Sequence, residues 1–153
     1  MGEPRWLDDR EARVWRAYLD LNRELPAVLE RGLVREAGLS NADYALLAPL
    51  SEAPDGLVRA RELGALVGWE RSRLSHQVAR MEKRGLVVRE ECPEDARGSM
   101  VRLTPAGRAA IESAAPAHVE AVRRYLFDAL TDEEVDVLGR VFARVLARIA
   151  ATG

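Results

Sequence analysis

Residues 57–107 carry the pattern that most limits how this chain can fold. Apolar residues recur at helical spacing over 61–67 and again over 71–84, and only three residues separate the two stretches. Gly68 lies between them, and glycine readily adopts the left-handed conformation in which many helices end. The sequence therefore predicts a short helix, a tight turn and a second helix that ends at Gly85.

The residues after Gly85 predict a β-hairpin. Two runs rich in β-branched and apolar residues, 86–90 and 100–103, are bounded by turn-forming residues, as strands usually are. The polar stretch 93–99 between them is expected to form the tip. A helix-turn-helix followed by such a hairpin, or wing, is an arrangement that places side chains in adjacent grooves of DNA. Residues 40–107 are thus expected to form a winged helix-turn-helix module.

Each of the two helices in this module is expected to bury one face. In the second helix, Leu74, Val78 and Met81 follow the i, i+4, i+7 spacing of a single buried stripe. The first helix is expected to turn its own apolar residues inward, namely Leu63, Leu66 and Val67.

The opposite face of the second helix is polar and almost free of acids. Hydroxyl, imidazole, amide and guanidinium groups of the kind found there can hydrogen-bond to base edges in the major groove. The alternative, an ordinary solvated helix face, would usually alternate Glu with Lys. We therefore predict a recognition helix over 71–84 that contacts DNA through Ser72, Arg73, Ser75, His76, Gln77 and Arg80.

The net charge of −2 looks unfavourable for binding a polyanion, but the charge is unevenly distributed. From Arg59 to Arg102 there are ten basic and seven acidic residues, so this window is positive and the remainder of the chain is acidic. A basic face of this kind suits contacts with phosphates. A surplus of three positive charges would also fit a mixed solvated surface, so the placement of the residues has to decide.

An arginine near the predicted hairpin tip adds a second candidate contact with DNA. Arg97, held out on a hairpin, can enter the minor groove, where narrow A·T tracts concentrate negative potential. Asp95, two residues earlier, is placed to orient it through a bidentate pair. The acids nearby, Glu91 and Glu94, also fit the alternative of an exposed hairpin with a random mixture of charges.

Two further helices are predicted before the module's first short helix. The first spans about 10–35 and contains Pro26, which should bend or split it. Ser40 with Asp43 forms a capping-box pattern, which predicts that another helix starts there and runs to about Leu50. The stretch Pro-Asp-Gly that follows is typical of a turn.

Two more helices are predicted after the hairpin. Thr104 followed by Pro105 is an N-cap signal for a helix that runs to about Leu130, with a kink expected at Pro116. Thr131 and Glu134 then predict the capped start of a last helix, which ends near Ala150.

The first and last helices each carry a narrow apolar row. A module of about 50 residues needs far less covering than these helices provide, so we expect them to pair with a second copy of the chain rather than to complete a monomeric core. The prediction is a mainly α (α+β) protein of one domain, 1–153, with dimerisation helices at 8–36 and 105–151. The rows are Val14, Tyr18, Leu21, Leu25 and Val28, and Val135, Leu138, Phe142, Val145 and Ile149.

Other classes of protein find little support in the sequence. No apolar run approaches the roughly 18 residues of a membrane span, and no apolar leader is expected at the N-terminus. Cys92 is the single cysteine and there are two histidines, so neither a disulfide, a metal site nor a cofactor is expected. Ser72, Ser75 and His76 share a helix without an oxyanion donor nearby, and no phosphate-binding glycine loop is present, so the chain is not expected to be an enzyme.

Four segments together resemble the MarR family of bacterial transcription regulators, and the resemblance extends over essentially the whole chain. It implies a cytoplasmic, nucleoid-associated homodimer with a recognition helix in the major groove and a wing arginine, matching Arg97, in the minor groove. Members usually repress promoters through palindromic sites. The segments are Leu63-(x)2-Leu66-Val67-Gly68, Ser72-Arg73-Leu74-Ser75-His76-Gln77-Val78, Glu82-Lys83-Arg84-Gly85-Leu86-Val87 and Asp95-Ala-Arg97-Gly98-(x)4-Leu103-Thr104-Pro105-Ala106-Gly107.

The resemblance also implies a signal that releases DNA, either a small phenolic or other aromatic effector or thiol oxidation. Cys92 lies at the end of a wing strand, whereas peroxide-sensing members carry a cysteine in the first helix, so a redox sensor remains only an alternative. A winged helix that binds protein without DNA is another. The effector pocket would lie between the dimer helices and the module. Its candidates, which equally fit ordinary core positions, are Trp15, Tyr18, Tyr44, Trp69 and His118.

Overall fold

The computed structural model of the chain describes residues 2–153, except for the side chains of residues 95–97. The chain is mainly helical, with a small three-stranded sheet and long N- and C-terminal helices, which confirms the predicted fold class. Two short 3-10 turns, Pro54–Gly56 and Phe127–Ala129, connect neighbouring elements. The elements are α1 (Asp9–Ala37), α2 (Asn41–Glu52), β1 (Leu57–Arg59), α3 (Ala60–Val67), α4 (Arg71–Lys83), β2 (Val87–Cys92), β3 (Asp95–Leu103), α5 (Pro105–Tyr125) and α6 (Asp132–Thr152).

Side-chain caps begin the helices where the sequence predicts them. The Ser40 hydroxyl accepts the backbone N–H of Asp43 while the Asp43 carboxylate accepts that of Ser40, which completes the capping box of α2. Thr131 and Glu134 form the same reciprocal pair at the start of α6. Gly68 ends α3 in the left-handed conformation, with φ 70°.

Both α1 and α5 continue through their internal prolines, so Pro26 does not split α1, and the predicted bend at Pro26 and kink at Pro116 stay predictions. One helix prediction differs from the structure. The helix predicted to reach Leu130 ends instead at Tyr125, because the backbone of Leu126 leaves helical geometry at φ −122° and ψ −67°.

A three-stranded antiparallel sheet with the order β1-β3-β2 forms the wing and its base. Val58 of β1 pairs with Val101 of β3, and Val87 of β2 pairs with Leu103 of β3. The strand β1, which has only three residues, was not predicted. The wing strands are also longer than predicted. Residues 95–99, which were predicted to belong to the hairpin tip, are part of β3.

The buried core lies entirely between Leu33 and Ala114 among the described residues. Leu63 is fully buried, but Leu66, predicted to face inward, is 68% exposed. The inner face of α3 is centred between Leu63, Gly64 and Val67, and Leu66 lies about 100° around the helix from that centre. The fully buried centre of the core is formed by Leu39, Leu46, Leu47, Leu50, Leu63, Val78, Met81, Val87 and Val101.

The start of α5 is pressed against the end of the wing. Thr104 donates from its hydroxyl to the Gly85 carbonyl at 2.6 Å and from its backbone N–H to the Leu86 carbonyl at 3.2 Å. A Cβ placed on Gly107 would overlap that same Leu86 carbonyl oxygen and lie 2.7 Å from Cδ1 of Leu103. The close approach of the two backbones therefore requires glycine at position 107.

Among the described residues, none before Leu33 and none after Ala114 is buried. None of the 21 residues of α6 is buried, and the N-terminal part of α1 is equally uncovered. Large side chains that a single chain would normally bury are therefore in contact with solvent. The exposed large apolar residues on these two helices are Val14, Trp15, Tyr18, Leu19, Leu21, Val34, Val137, Phe142, Val145, Leu146 and Ile149.

Candidate nucleic-acid interface

Helix α4, the predicted recognition helix, is held in the module by one apolar face and exposes the other. Leu74, Val78 and Met81 are buried against the core, as their spacing predicts. Helical geometry then turns the residues between them outward. The structure places Ser72, Arg73, His76 and Arg80 on this exposed surface.

The exposed surface of α4 is positive along most of its length. From Arg71 to Met81 the helix contains no Asp or Glu, and Arg71 is itself exposed. The first acid, Glu82, accepts the backbone N–H of Arg89 at 2.9 Å, on the side where the wing begins. The partial positive charge of the α4 N-terminus adds to the same field. This surface can therefore face a polyanion without repulsion from acids of its own helix.

Gln77 is not on the exposed surface, which corrects its predicted position. It is only 8% exposed, and its Nε2 donates to Oδ1 of Asp43 at 2.7 Å. The helical-wheel estimate put Gln77 at the edge of the polar face, but α2 packs against that edge and covers it. An amide engaged in this way is not free to contact a base.

Arg73 is held by an aromatic neighbour from the turn of the helix-turn-helix. Its guanidinium carbon Cζ lies 4.2 Å from the centroid of the Trp69 ring, a cation–π contact. Stacking restricts the rotamers of a long side chain, so less conformational entropy is lost when it binds a target. Trp69, predicted as a candidate for an effector pocket, instead supports Arg73.

Ser75 is occupied by a contact with the wing. Arg89 on β2 donates from Nη2 to the Ser75 carbonyl at 2.8 Å and to its hydroxyl at 2.9 Å. Ser75 is half-buried, unlike its neighbours Ser72 and His76. The structure therefore gives Ser75 the role of joining α4 to the wing, and leaves it little freedom to reach DNA.

A groove of about 510 Å³ separates α3 and α4 from the wing. Four arginines line it, and no acidic residue is among the described residues of its wall. Such a groove offers several guanidinium donors to phosphate oxygens. The sequence analysis counted these arginines in the positive window but assigned none of them to a site. They are Arg59, Arg61, Arg71 and Arg89.

An ion pair joins the two wing strands, β2 and β3. The arginine in this pair is therefore less available to bind a phosphate. Arg102 binds Glu90 through Nε and, at 3.0 Å, through Nη2. Hydrogen bonding from Arg102 holds the pKa of Glu90 below its usual value, so the pair remains charged near neutral pH. The predicted wing contacts, Asp95 and Arg97, have side chains that lie outside the described residues.

Cys92 is enclosed at the end of β2. It is 5% exposed, and Arg59 donates from Nη2 to its Sγ at 3.3 Å. Reactive cysteines need both access and thiolate character. The enclosure keeps an oxidant away from this sulfur while the sheet is intact.

The five aromatic candidates for an effector pocket are not brought together. Trp15 and Tyr18 stack on each other at 5.6 Å on the exposed row of α1, and Trp69 lies beside Arg73. Tyr44 and His118 do meet, with ring centroids 4.1 Å apart, where α2 packs against α5. His118 alone of the five lines a cavity of about 420 Å³ between α1 and α5.

Charged residues of both signs line this cavity, with one more arginine than glutamate. Three arginines contribute to its wall, Arg31, Arg35 and Arg124, together with Glu36 and Glu120. Nδ1 of His118 is buried and has no hydrogen-bond partner among the described residues. Burial lowers the pKa of His118, so the imidazole is neutral near pH 7 and one ring nitrogen can accept a hydrogen bond. The excess of arginine suits the cavity to a small molecule with an anionic group.

No described helix combines the length and apolarity needed to cross a membrane. In the same part of the chain, no three residues of His, Cys, Asp or Glu converge as metal ligands would.

Comparison with known proteins identifies a family. The family model described as MarR family matches residues 37–98. A MarR family transcriptional regulator from Streptomyces coelicolor, solved in complex with DNA, is 44% identical to this chain. The alignment covers 96% of this chain and 91% of that one, with a TM-score of 0.90.

Two further solved structures are similar over most of their length. AbsC, also a MarR family transcriptional regulator from Streptomyces coelicolor, is 36% identical over 97% of this chain and 99% of its own, with a TM-score of 0.91. CouR from Rhodococcus jostii RHA1, solved bound to p-coumaroyl-CoA, is 26% identical over 90% of this chain and 92% of its own, with a TM-score of 0.71.

Proposed function

The chain belongs to the MarR family of transcriptional regulators, and on that premise we propose that it is a homodimeric repressor that binds a palindromic DNA site. The single observation that carries the proposal is the exposed, acid-free surface of α4, formed by Ser72, Arg73, His76 and Arg80. The similar Streptomyces regulator that was solved with DNA supports it. The family identity also agrees with the expectation that the chain is not an enzyme.

In this proposal α4 enters the major groove of the DNA. The arginines that line the protein groove between α4 and the wing bind the phosphates of the DNA backbone on either side. Arg73, preset by Trp69, and His76 contact base edges, while Arg59 and Arg89 sit where phosphates would pass between α4 and the wing. Arg97 is assigned to the minor groove on the sequence resemblance. The uncovered apolar faces of α1 and α6 support the homodimer, because a second copy would bury them.

We expect Arg73→Ala and His76→Ala to relax sequence preference at particular base pairs by about 1–3 kcal/mol each. The reason is that a base-edge contact discriminates between bases, whereas a phosphate contact does not. Sites would first be selected from genomic fragments with the full-length protein, and each variant would then be titrated against the site and its single-base variants. Arg61→Ala, which changes a groove arginine, is the matched control and should weaken all sequences alike.

Two outcomes would contradict the proposal. Equal weakening of every sequence by Arg73→Ala and His76→Ala would place both residues on phosphates rather than base edges. Failure of the wild-type protein to enrich any fragment would favour the alternative, a winged helix that binds protein without DNA.

We further propose that the α1–α5 cavity binds an aromatic effector with an anionic group, which releases the DNA. The cavity arginines support this, His118 also lines the cavity, and CouR is a relative of the same family fold solved with an aromatic acyl-CoA. A volume of about 420 Å³ is in the range of small-molecule sites.

We expect a hydroxybenzoate ligand to raise the melting temperature of the protein and to lower its affinity for the operator. In His118→Phe, the ligand concentration needed for either effect should be about tenfold higher or more. Thermal melts and DNA titrations with increasing ligand would measure this. His76→Ala removes the other histidine, outside the cavity, and should leave the melting shift unchanged. A ligand that stabilises wild type and His118→Phe equally would bind elsewhere.

A further inference from the structure

We propose that Asp43 is a positioning residue for DNA recognition: its buried carboxylate sets the orientation of α4 although it cannot itself reach DNA. The inference depends on the proposed DNA-binding function and adds to it a residue outside the recognition surface. Asp43 lies in the first turn of α2 and is only 3% exposed.

The capping role of Asp43 uses only part of its carboxylate. Oδ2 accepts the backbone N–H of Ser40 at 2.9 Å, which is all that the capping box of α2 requires. Oδ1 accepts from Nε2 of Gln77 at 2.7 Å, and Oδ2 also accepts from Nη1 of Arg84 at 2.6 Å. One buried carboxylate thus holds three donors, and two of them belong to α4 or its C-cap.

The two attachments hold α4 at separate points along its length. Gln77 and Arg84 are seven residues apart, which is about two helical turns or roughly 10 Å. Arg89 joins α4 to the wing at Ser75, and the apolar contacts of the buried face have little directional preference. A single attachment to α2 would leave the helix more freedom to pivot about those contacts. Two directional hydrogen bonds on one side fix both the rotation of α4 about its axis and its tilt.

Arg84 extends the connection to the end of α1. Its Nη2 donates to the carbonyl of Gly38, the C-cap of α1, at 2.8 Å. Arg84 therefore bridges α1, α2 and the C-terminus of α4, with Asp43 as the shared acceptor. The buried charge is satisfied by these donors, as a buried carboxylate must be.

The orientation of α4 matters because its contact groups move with it. At a helix radius of about 5–6 Å, a rotation of about 20° displaces side-chain ends by roughly 2 Å. A base-edge hydrogen bond has a tolerance of only a few tenths of an ångström around its ordinary length. Phosphate contacts made by flexible arginines accommodate such a shift more readily. Loss of the Asp43 attachments should therefore reduce discrimination between DNA sequences more than affinity for DNA in general.

Asp43→Asn tests this, with Ser40→Ala as the matched control. Both changes alter the capping box of α2, but only Asp43→Asn removes the negative charge and one of the two acceptor oxygens that hold Gln77 and Arg84. We expect Asp43→Asn to lower affinity for the selected site about tenfold or more and affinity for unrelated DNA less than about threefold. Ser40→Ala should leave the ratio of the two affinities unchanged. Both would be assayed below their measured unfolding temperatures.

A second pair of variants keeps the test decisive if Asp43→Asn does not fold. Gln77→Met removes one attachment without adding a charge, and should lower the same ratio about threefold or more. The double variant Gln77→Met, Arg84→Met should lower the ratio of the two affinities by less than the product of the effects of the two single variants. The reason is that both substitutions break the same connection through Asp43. An unchanged ratio in Gln77→Met and Asp43→Asn would overturn the inference. If the wild type does not discriminate between sequences, the proposed function itself fails.

Discussion

Phe142→Glu is expected to yield a folded winged module that is monomeric and has lost operator binding. Phe142 is 56% exposed on α6, a helix with no buried residue in its own chain. Burial of a phenylalanine contributes about 1.5–3 kcal/mol, and two-fold symmetry repeats the contribution in each copy. A glutamate at this position would place an unpaired charge in each half of the interface.

The effect on DNA binding should be large because a monomer can occupy only one half-site. Loss of the second recognition helix is expected to lower affinity about 100-fold or more, since linked sites bind with a high effective concentration. Light scattering would give a mass near the 17.0 kDa of one chain for the variant and near twice that value for the wild type. DNA titration under the same conditions would give the affinities.

Arg144→Glu is the matched control, because it introduces the same side chain two residues further along, on the opposite side of α6. It should remain dimeric and keep its DNA affinity to within about threefold. A persistent dimer in Phe142→Glu would exclude the α6 face as the interface. A monomer with wild-type affinity would show instead that one half-site is sufficient.

Gly107→Ala is expected to destabilise the protein by about 3 kcal/mol or more. The added Cβ would overlap the Leu86 carbonyl oxygen, and backbone on both sides of the contact leaves no flexible group to move aside. Against a typical unfolding free energy of about 5–15 kcal/mol, such a loss approaches complete unfolding. Urea unfolding at one fixed protein concentration would measure it.

Gly32→Ala is the control for this substitution. A Cβ there would meet nothing within 4 Å, and Gly32 lies inside α1. Alanine should raise the stability by up to about 1 kcal/mol, because glycine is a poor helix former. Equal stability of the two variants would mean that α5 can move away from the wing without cost.

Local sequence signals predicted much of this fold. Capping pairs such as Ser40 with Asp43, and the glycine that ends α3, act within a few residues, so their signal is complete in the sequence. The exposed positions of Arg73 and His76 followed from helical spacing for the same reason.

Features that depend on contacts between distant segments were not predicted. Gln77 is buried because α2 reaches it from 34 residues away, and no spacing rule contains that information. The strand β1 exists only because β3, more than 40 residues later, pairs with it. The cation–π contact of Trp69 with Arg73 is local, but it depends on how the turn between α3 and α4 closes. Together these contacts set which polar residues are free to bind.

In the proposed homodimer, the stability of α6 would depend on the abundance of the chain, because no residue of this helix is buried in its own chain. An isolated helix of this length is marginally stable in water, so its persistence depends on association. By mass action, dilution would favour separated chains whose terminal helices fray and become substrates for proteases. A regulator built in this way would be removed fastest when it is scarce, so that its concentration falls sharply once synthesis stops.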